Sequence, residues 1–299
     1  MIEGILHEGL IYGILALGVF ITFRILDFPD LTVDGSFPFG AAIAASAITA
    51  GLPVLIAVLL ALLGGILAGI VTALIHNKLK VPNLLAGILT MTMLYSVNIR
   101  VLGNRANLPL LQVSTAFSAI QDLSKSLGIP AEYGALLFLL LFVGGIILVL
   151  DLFFHTDLGL TLGAMGNNQQ MVISQGVNPE VMKIIGVGLS NGLVGIAGAL
   201  AAQYQGFADA NLGQGIVVTG LASVMIGEFF IRSNKIWPLL LRVVIGSVVF
   251  KGIMFLGRYY GYIIKMTPND LKLITGLLII LSLIMTKVKT GKRTRQAAV

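Results

Sequence analysis

From residue 4 to residue 286 the chain is a succession of apolar runs separated by short polar or charged breaks. A helix crosses the hydrocarbon core of a bilayer with roughly 20 apolar residues. Inside that core every backbone polar group must be bonded internally, which leaves helices or closed barrels. The runs are continuous, not alternating, so helices are the expected form. Only 11% of residues are charged, against about 25% in a soluble domain. That excludes an ordinary soluble enzyme, a disordered chain and a nucleic-acid partner, despite a net charge of +6. The chain has no cysteine, so disulfides, thiolate metal sites and a thiol nucleophile are absent. Its 36 glycines suit helices packed backbone to backbone.

The expected spans are 4–23, a short 35–50, 53–75, 83–102, 133–154, 184–205, 214–231, 236–257 and 269–286. The fold class is therefore an all-α polytopic membrane protein with about 8–10 transmembrane helices in a single domain, 1–299. The second helix is short or broken. Polar connections lie at 103–132 and 155–183, and a basic tail occupies 287–299. The first segment lacks the basic start of a secretory signal and reads as a retained helix.

Lysine and arginine collect on the cytoplasmic side of membrane proteins. With the tail inside, eleven basic residues fall inside and five, including Arg100, Arg105 and Arg258, fall outside. The 155–183 connection is then cytoplasmic. The N-terminus comes out external with nine full crossings, and flips if the second span is re-entrant. A faint repeat pairs Asp34-Gly35 and Gly40-Ala41-Ala42 with Gln214-Gly215 and Gly220-Leu221-Ala222, offset by 180 residues. Inverted repeats of this kind build transporter pathways.

No enzyme signature is present. There is no phosphate-binding loop, His7-Glu8 has no second histidine one turn on, and His7, His76 and His155 form no metal cluster. Intramembrane acids are functional candidates by default, which singles out Asp30 and Asp34 with neighbouring Ser36 and Phe37. The competing reading makes Asp34 the N-cap of the second helix. Thr92, Tyr95 and Asn98 share a face at three-residue spacing and either line a pathway or bond a neighbouring helix. Gln203 and Gln205 either line a pathway mouth or meet water. Glu228 and Arg232 are spaced to pair along one helix. The spacings Gly9–Gly13, Gly65–Gly69 and Gly188–Gly192 favour tight contacts, mostly within the chain.

In the 155–183 connection, Asp157 is a candidate N-cap, Gly159 and Gly166 punctuate a short helix, and Asn178-Pro179 marks a turn. The stretch Thr156-Asp157-Leu158-Gly159-Leu160, then Ala164-Met165-Gly166, then Gly176-Val177-Asn178-Pro179, precedes a Gly/Ala-rich span, 188–200. With the earlier Asp30-Leu31-Thr32-Val33-Asp34-Gly35-Ser36, it resembles the permease family of ATP-binding-cassette (ABC) importers for branched-chain amino acids and ribose. The version beginning Phe28-Pro29 is similar to a subgroup paired with lipoproteins for tryptophan- or tyrosine-like ligands. The order holds from about residue 10 to 285. Glu228 departs from the family pattern, which continues Gly227 into a glycine-rich turn, and the 103–132 connection is long.

The resemblance implies a pathway subunit in the bacterial cytoplasmic membrane, making no covalent change to its solute. Two ABC ATPase subunits, carrying ATP and Mg, would dock on a coupling helix. That role falls on Asp157, Leu158, Gly159, Gly163, Ala164, Met165, Gly166, Asn167 and Asn168, with Gly176, Asn178 and Pro179. An extracytoplasmic substrate-binding lipoprotein would dock on arginines such as Arg100 and Arg105. A second permease copy completes the pore, and lipid holds the tail. An amino acid, aromatic by preference, is the expected solute. Nucleosides or sugars are alternatives, as is a stand-alone secondary transporter or channel.

Overall fold

The computed structural model describes residues 2–126, 128, 130–230, 233, 235–261, 273, 275–277 and 280. The chain forms α1 (Ile2–Phe20), which continues as a π-helical turn (Ile21–Ile25), then α2 (Val33–Thr49), α3 (Val54–Leu79) and α4 (Asn83–Val101). After β1 (Asn107–Pro109) come α5 (Ala116–Ser126), α6 (Ala131–Phe154), α7 (Asp157–Asn167), α8 (Gln169–Ser174) and α9 (Pro179–Gln205). The strand β2 (Phe207–Asp209) pairs antiparallel with β1, and α10 (Ile216–Phe230) and α11 (Ile236–Gly261) follow. Among the described residues six helices are long and apolar enough to cross a membrane: α1, α3, α4, α6, α9 and α11. The expected ninth span, the basic tail and Arg232 lie outside the described residues.

Proline and glycine set the helix ends. Pro53, Pro82 and Pro130 precede α3, α4 and α6, where a missing N–H costs nothing. Gly206, at φ 80°, closes α9. Small residues set the packing. Gly65 and Gly69 of α3 lie against the Asn191 and Val187 carbonyls of α9, and Gly195 of α9 lies against the Ala61 carbonyl. A Cβ at any of these three would collide with backbone. Gly9 and Gly13 pack on Val248 and Val244 of α11. All three expected glycine pairs thus serve contacts within the chain.

These contacts reveal an inverted repeat. α1 packs on α11 as α9 packs on α3, and α2 pairs with α3 as α10 pairs with α11. Gly40 of α2 meets Gly195 of α9, while Gly220 of α10 meets Leu15 of α1. Both correspondences keep the 180-residue offset read from the sequence.

The second span is broken. Residues 26–32 form no regular helix, and Leu26, Phe28, Asp30 and Thr32 are buried while Asp27, in the left-handed conformation, and Pro29 are exposed. Asn191 lies against Gly65, near the middle of α3, and also bonds Asp30 and Ser36. The start of α2 therefore sits at mid-depth, reached by irregular backbone. Such backbone is tolerated there only when buried in protein. Gly87 of α4 provides the space, since a Cβ would lie 2.8 Å from the Leu31 nitrogen.

Two groups of charges on these helices are paired. Glu8 of α1 meets Lys251 of α11 at 3.1 Å, and that ammonium sits 3.2 Å from the Tyr12 ring centroid. Glu228 meets Arg24 at 3.1 Å and Arg242 at 3.4 Å. The sequence offered Arg232 as its partner. The convergence of α1, α10 and α11 supplies two others from distant positions.

Candidate functional site

The two shorter helices α2 and α10 bring their N-termini together. Between them lies the Asp34 carboxylate, which accepts from the Gly215 and Val217 N–H groups, each at 2.9 Å. Asp34 therefore caps α10, not its own helix, whose N-cap position is Thr32. Helix N-termini carry partial positive charge, so one carboxylate answers two of them. Pro38 lacks the N–H that would bond the Asp34 carbonyl, and Gly213 packs directly on that carbonyl.

Beside this junction a recess of about 320 Å³ opens on α4, lined by Asp34, Pro38, Thr92, Tyr95, Asn98 and Gln214 among others. The rest of the α4 outer face is apolar, with Leu84, Leu85, Ile88, Leu89 and Met93 exposed. Asn98 donates to the Gly35 carbonyl at 3.3 Å, while its own Oδ1 is buried without a protein partner. The recess is thus a largely apolar notch that carries a few polar groups at its wall, with Gly35, Met91 and Ala210 also lining it.

Behind the recess is a closed polar network. Asp30, fully buried, accepts from Thr32 N–H at 2.8 Å and from Asn191 Nδ2 at 2.7 Å. Ser36 donates to Asn191 Oδ1 at 2.7 Å, and Thr32 and Thr72 hydroxyls meet at 2.7 Å. Asp30, Ser36 and Phe37 are buried and do not line the recess. Gln203 is buried as well: it accepts from Ala116 N–H at 2.9 Å and donates to Ala199 at 3.1 Å. It caps α5, which folds back over it. Gln205 is half-buried at the end of α9. Of the nine pathway candidates, Asp34, Thr92, Tyr95 and Asn98 come together at the recess. The sequence reading passed over Asn191. An Asn beside a Ser in an otherwise Gly/Ala-rich span was its signal.

At the opposite end of α9, the 155–183 connection holds two short helices. Thr156 is the N-cap of α7, accepting from Gly159 N–H at 3.3 Å, so Asp157 is one residue inside. Asn168 caps α8 through Met171 N–H at 3.2 Å, and Asn178 caps α9 through Glu180 N–H at 2.9 Å, with Pro179 at the first helical position. Gly176 takes the left-handed conformation, φ 81°, at the turn. Gly159, Leu162 and Met165 are buried, and Gly166 packs on the Ile25 carbonyl. Both glycines lie within the helix and do not end it. Asp157, Leu158, Gly163 and Asn167 are exposed, Ala164 is half-buried, and a Cβ on Gly163 would meet nothing within 4 Å. One face of α7 is thus seated on the bundle and the other is free. Arg100 and Arg105 are exposed at the far membrane face, where α4 ends.

The description "Branched-chain amino acid transport system / permease component" matches residues 1–283. The chain belongs to this permease family. It is 39% identical over 279 residues to the tyrosine transport system permease protein of Clostridioides difficile R20291, covering 93% of this chain and 89% of that protein. It is 27% identical over 248 residues to the ribose import permease protein RbsC of Escherichia coli K12, covering 79% and 73%. The fold is also that of PsaBC from Streptococcus pneumoniae, solved in complex with Fab, at TM-score 0.53, 16% identity, and 93% and 89% coverage. The chain is accordingly a multi-pass permease subunit of the ABC importer class in the bacterial cytoplasmic membrane.

Proposed function

We propose that this permease conducts an aromatic amino acid, tyrosine or a close relative, through a pathway that includes the α4 recess. The observation that carries the pathway is the convergence of Asp34, Thr92, Tyr95 and Asn98 on one largely apolar recess beside the meeting point of α2 and α10. The likeness to a tyrosine permease over nearly the whole chain supports the solute. The face bearing α7, α8, Arg24, Lys78 and Lys80 is cytoplasmic. A second copy of the chain closes the pathway against α4. Two ATPase subunits, holding ATP and Mg, seat on the free face of α7, and an extracytoplasmic binding protein docks near Arg100 and Arg105. The chain itself catalyses no reaction.

The rigid seating of α7 gives this reading its mechanism. Gly159 and Gly166 hold α7 against the ends of α6 and α1, so a push on its free face passes to both helices as a rigid-body movement. Gly163→Glu separates this role from folding. The site is open, so protein yield should be unchanged, while solute-stimulated ATP hydrolysis and uptake fall at least tenfold. Unchanged uptake removes α7 from the ATPase interface. Gly166→Leu cannot discriminate, because its side chain collides with the Ile25 backbone.

The function is tested by co-purifying the chain with its ATPase and receptor and measuring uptake into proteoliposomes. ATP-dependent uptake of tyrosine, with none of ribose, supports the reading. Uptake of ribose alone moves the solute to sugars, and uptake without ATPase makes the chain a solitary carrier.

A further inference from the structure

The cytoplasmic face holds a second recess, of about 250 Å³, which the transport pathway leaves unused. It lies between the turn after α1, the start of α4, the α7–α8 pair and the first turns of α9. Its polar lining is Asp27, Asn83, Gln169 and Lys183, and Phe28 and Met165 form apolar wall.

The two charges are opposite, yet no ion pair joins them among the described residues. Asp27 is exposed at φ 51°. Its carboxylate makes no hydrogen bond or ion pair among the described residues, and neither do the Asn83 and Gln169 amides. Lys183 is half-buried, and its Nζ lies 3.0 Å from His76 Nε2. His76 Nδ1 lies 2.7 Å from the Val81 carbonyl, so that nitrogen carries the hydrogen and Nε2 accepts from the lysine. The ammonium retains two further donors. The nearby Lys80 and Lys78 are taken by Glu180, at 2.9 and 3.9 Å. The recess thus offers one cation, one anion and two amides, held apart around a space of amino-acid size.

A half-buried ammonium and a carboxylate without an ion pair face one recess, and a group bearing both signs at short range answers this lining. We propose that the recess binds the zwitterionic head of an amino acid from the cytoplasm. The occupant would touch Met165 and Gly166 of α7, Gln169 of α8 and the turn that leads to Asp30. It would brace the coupling helix against the bundle, and a ligand favouring one conformation slows a cycle that must leave it. Accumulated amino acid would in this way restrain its own import, an inference that rests on the importer reading above.

The test uses the permease–ATPase complex in proteoliposomes, ATPase outward, with receptor and labelled solute sealed in the lumen. L-Phenylalanine, 3-phenylpropionate and phenethylamine are added outside. Phenylalanine should slow ATP hydrolysis and solute release at least fivefold, with each single-charge analogue at least tenfold weaker. Asp27→Asn, which keeps the side-chain shape and tolerates left-handed backbone, and Lys183→Gln should each raise the half-inhibitory concentration at least tenfold. Equal inhibition of wild type and variants, no inhibition, or 3-phenylpropionate matching phenylalanine overturns the proposal. Absence of receptor- and ATP-dependent transport in the wild type would instead strike the importer reading. For that case, binding of labelled phenylalanine to the purified permease is compared with Asp27→Asn, and equal binding rejects the site on its own.

Discussion

Asp34→Ala should yield a permease that reaches the membrane and takes up less than a tenth as much solute as wild type. Its carboxylate joins the start of α2 to the start of α10, through Gly215 and Val217 N–H at 2.9 Å each. A hydrogen bond to a charged group contributes about 1.5–3 kcal/mol, so the alanine variant forfeits about 3 kcal/mol or more at the junction. The positive ends of α2 and α10 then face each other uncompensated. The cost falls on the junction more than on the fold, because α2 remains packed along α9 through Gly40 and Gly198. Asp34→Asn retains one acceptor and presents an N–H to the other donor, so it should be nearly as defective. The absence of native cysteine allows a clean local readout. Gln214→Cys, at the exposed start of the junction, should react with a maleimide faster when Asp34 is alanine. Wild-type uptake by Asp34→Ala would remove the junction from the pathway.

The helices were legible because apolar runs of bilayer length have one economical fate. The expected 83–102 span falls one residue past the observed α4, and 35–50 lies within two residues of α2 at its start. The 180-residue offset was legible too, since glycines that contact backbone leave a trace in the sequence. The depth of α2 was not. Asp30 reads as a candidate intramembrane acid with no depth attached, and the approach of Gly87 and Asn191 brings it to the middle of α3. Helix caps failed for a related reason. Thr156 and Asp157 are both good caps, and the choice rests on which residue holds extended backbone, here Thr156 at ψ 162°.

The candidate site divides along the same line. Thr92, Tyr95 and Asn98 were grouped by helical spacing, a local property, and they share one recess. Gln203 and Glu228 were assigned by proximity in sequence, yet their partners come from α5, α1 and α11. Nothing local marks such partners. A long polar connection hid α5, whose amphipathic Phe117 packs beneath it against Tyr204, ring centroids 5.4 Å apart.

Asn191→Leu should be the more damaging substitution, preventing accumulation of folded protein altogether. The amide holds Asp30 Oδ2 at 2.7 Å through Nδ2 and Ser36 at 2.7 Å through Oδ1, so leucine leaves one oxygen of a fully buried carboxylate and a hydroxyl without partners, while Thr32 N–H still bonds the other oxygen. Leaving a buried group without its hydrogen-bond partner costs about 1–3 kcal/mol, and more when the group is charged, a large share of a net stability of about 5–15 kcal/mol. Leucine is also larger at the point where Gly65 touches the Asn191 backbone. The exchange Asp30→Asn with Asn191→Asp discriminates polarity from bulk. An asparagine at 30 still accepts from Thr32 N–H and donates to the new carboxylate, which in turn accepts from Ser36. The exchanged carboxylate would lie near the Val187 carbonyl that Asn191 now bonds at 3.0 Å, so recovery should be partial. Size-exclusion profiles of the tagged protein in detergent would show no monodisperse peak for Asn191→Leu and a reduced one for the exchange. If Asn191→Leu gives a normal peak, the network is incidental to the fold. If the exchange fails as completely as leucine, what matters at mid-depth is the placement of the charge on the irregular segment before α2. The hydrogen-bond pattern alone would then be insufficient to keep that segment buried.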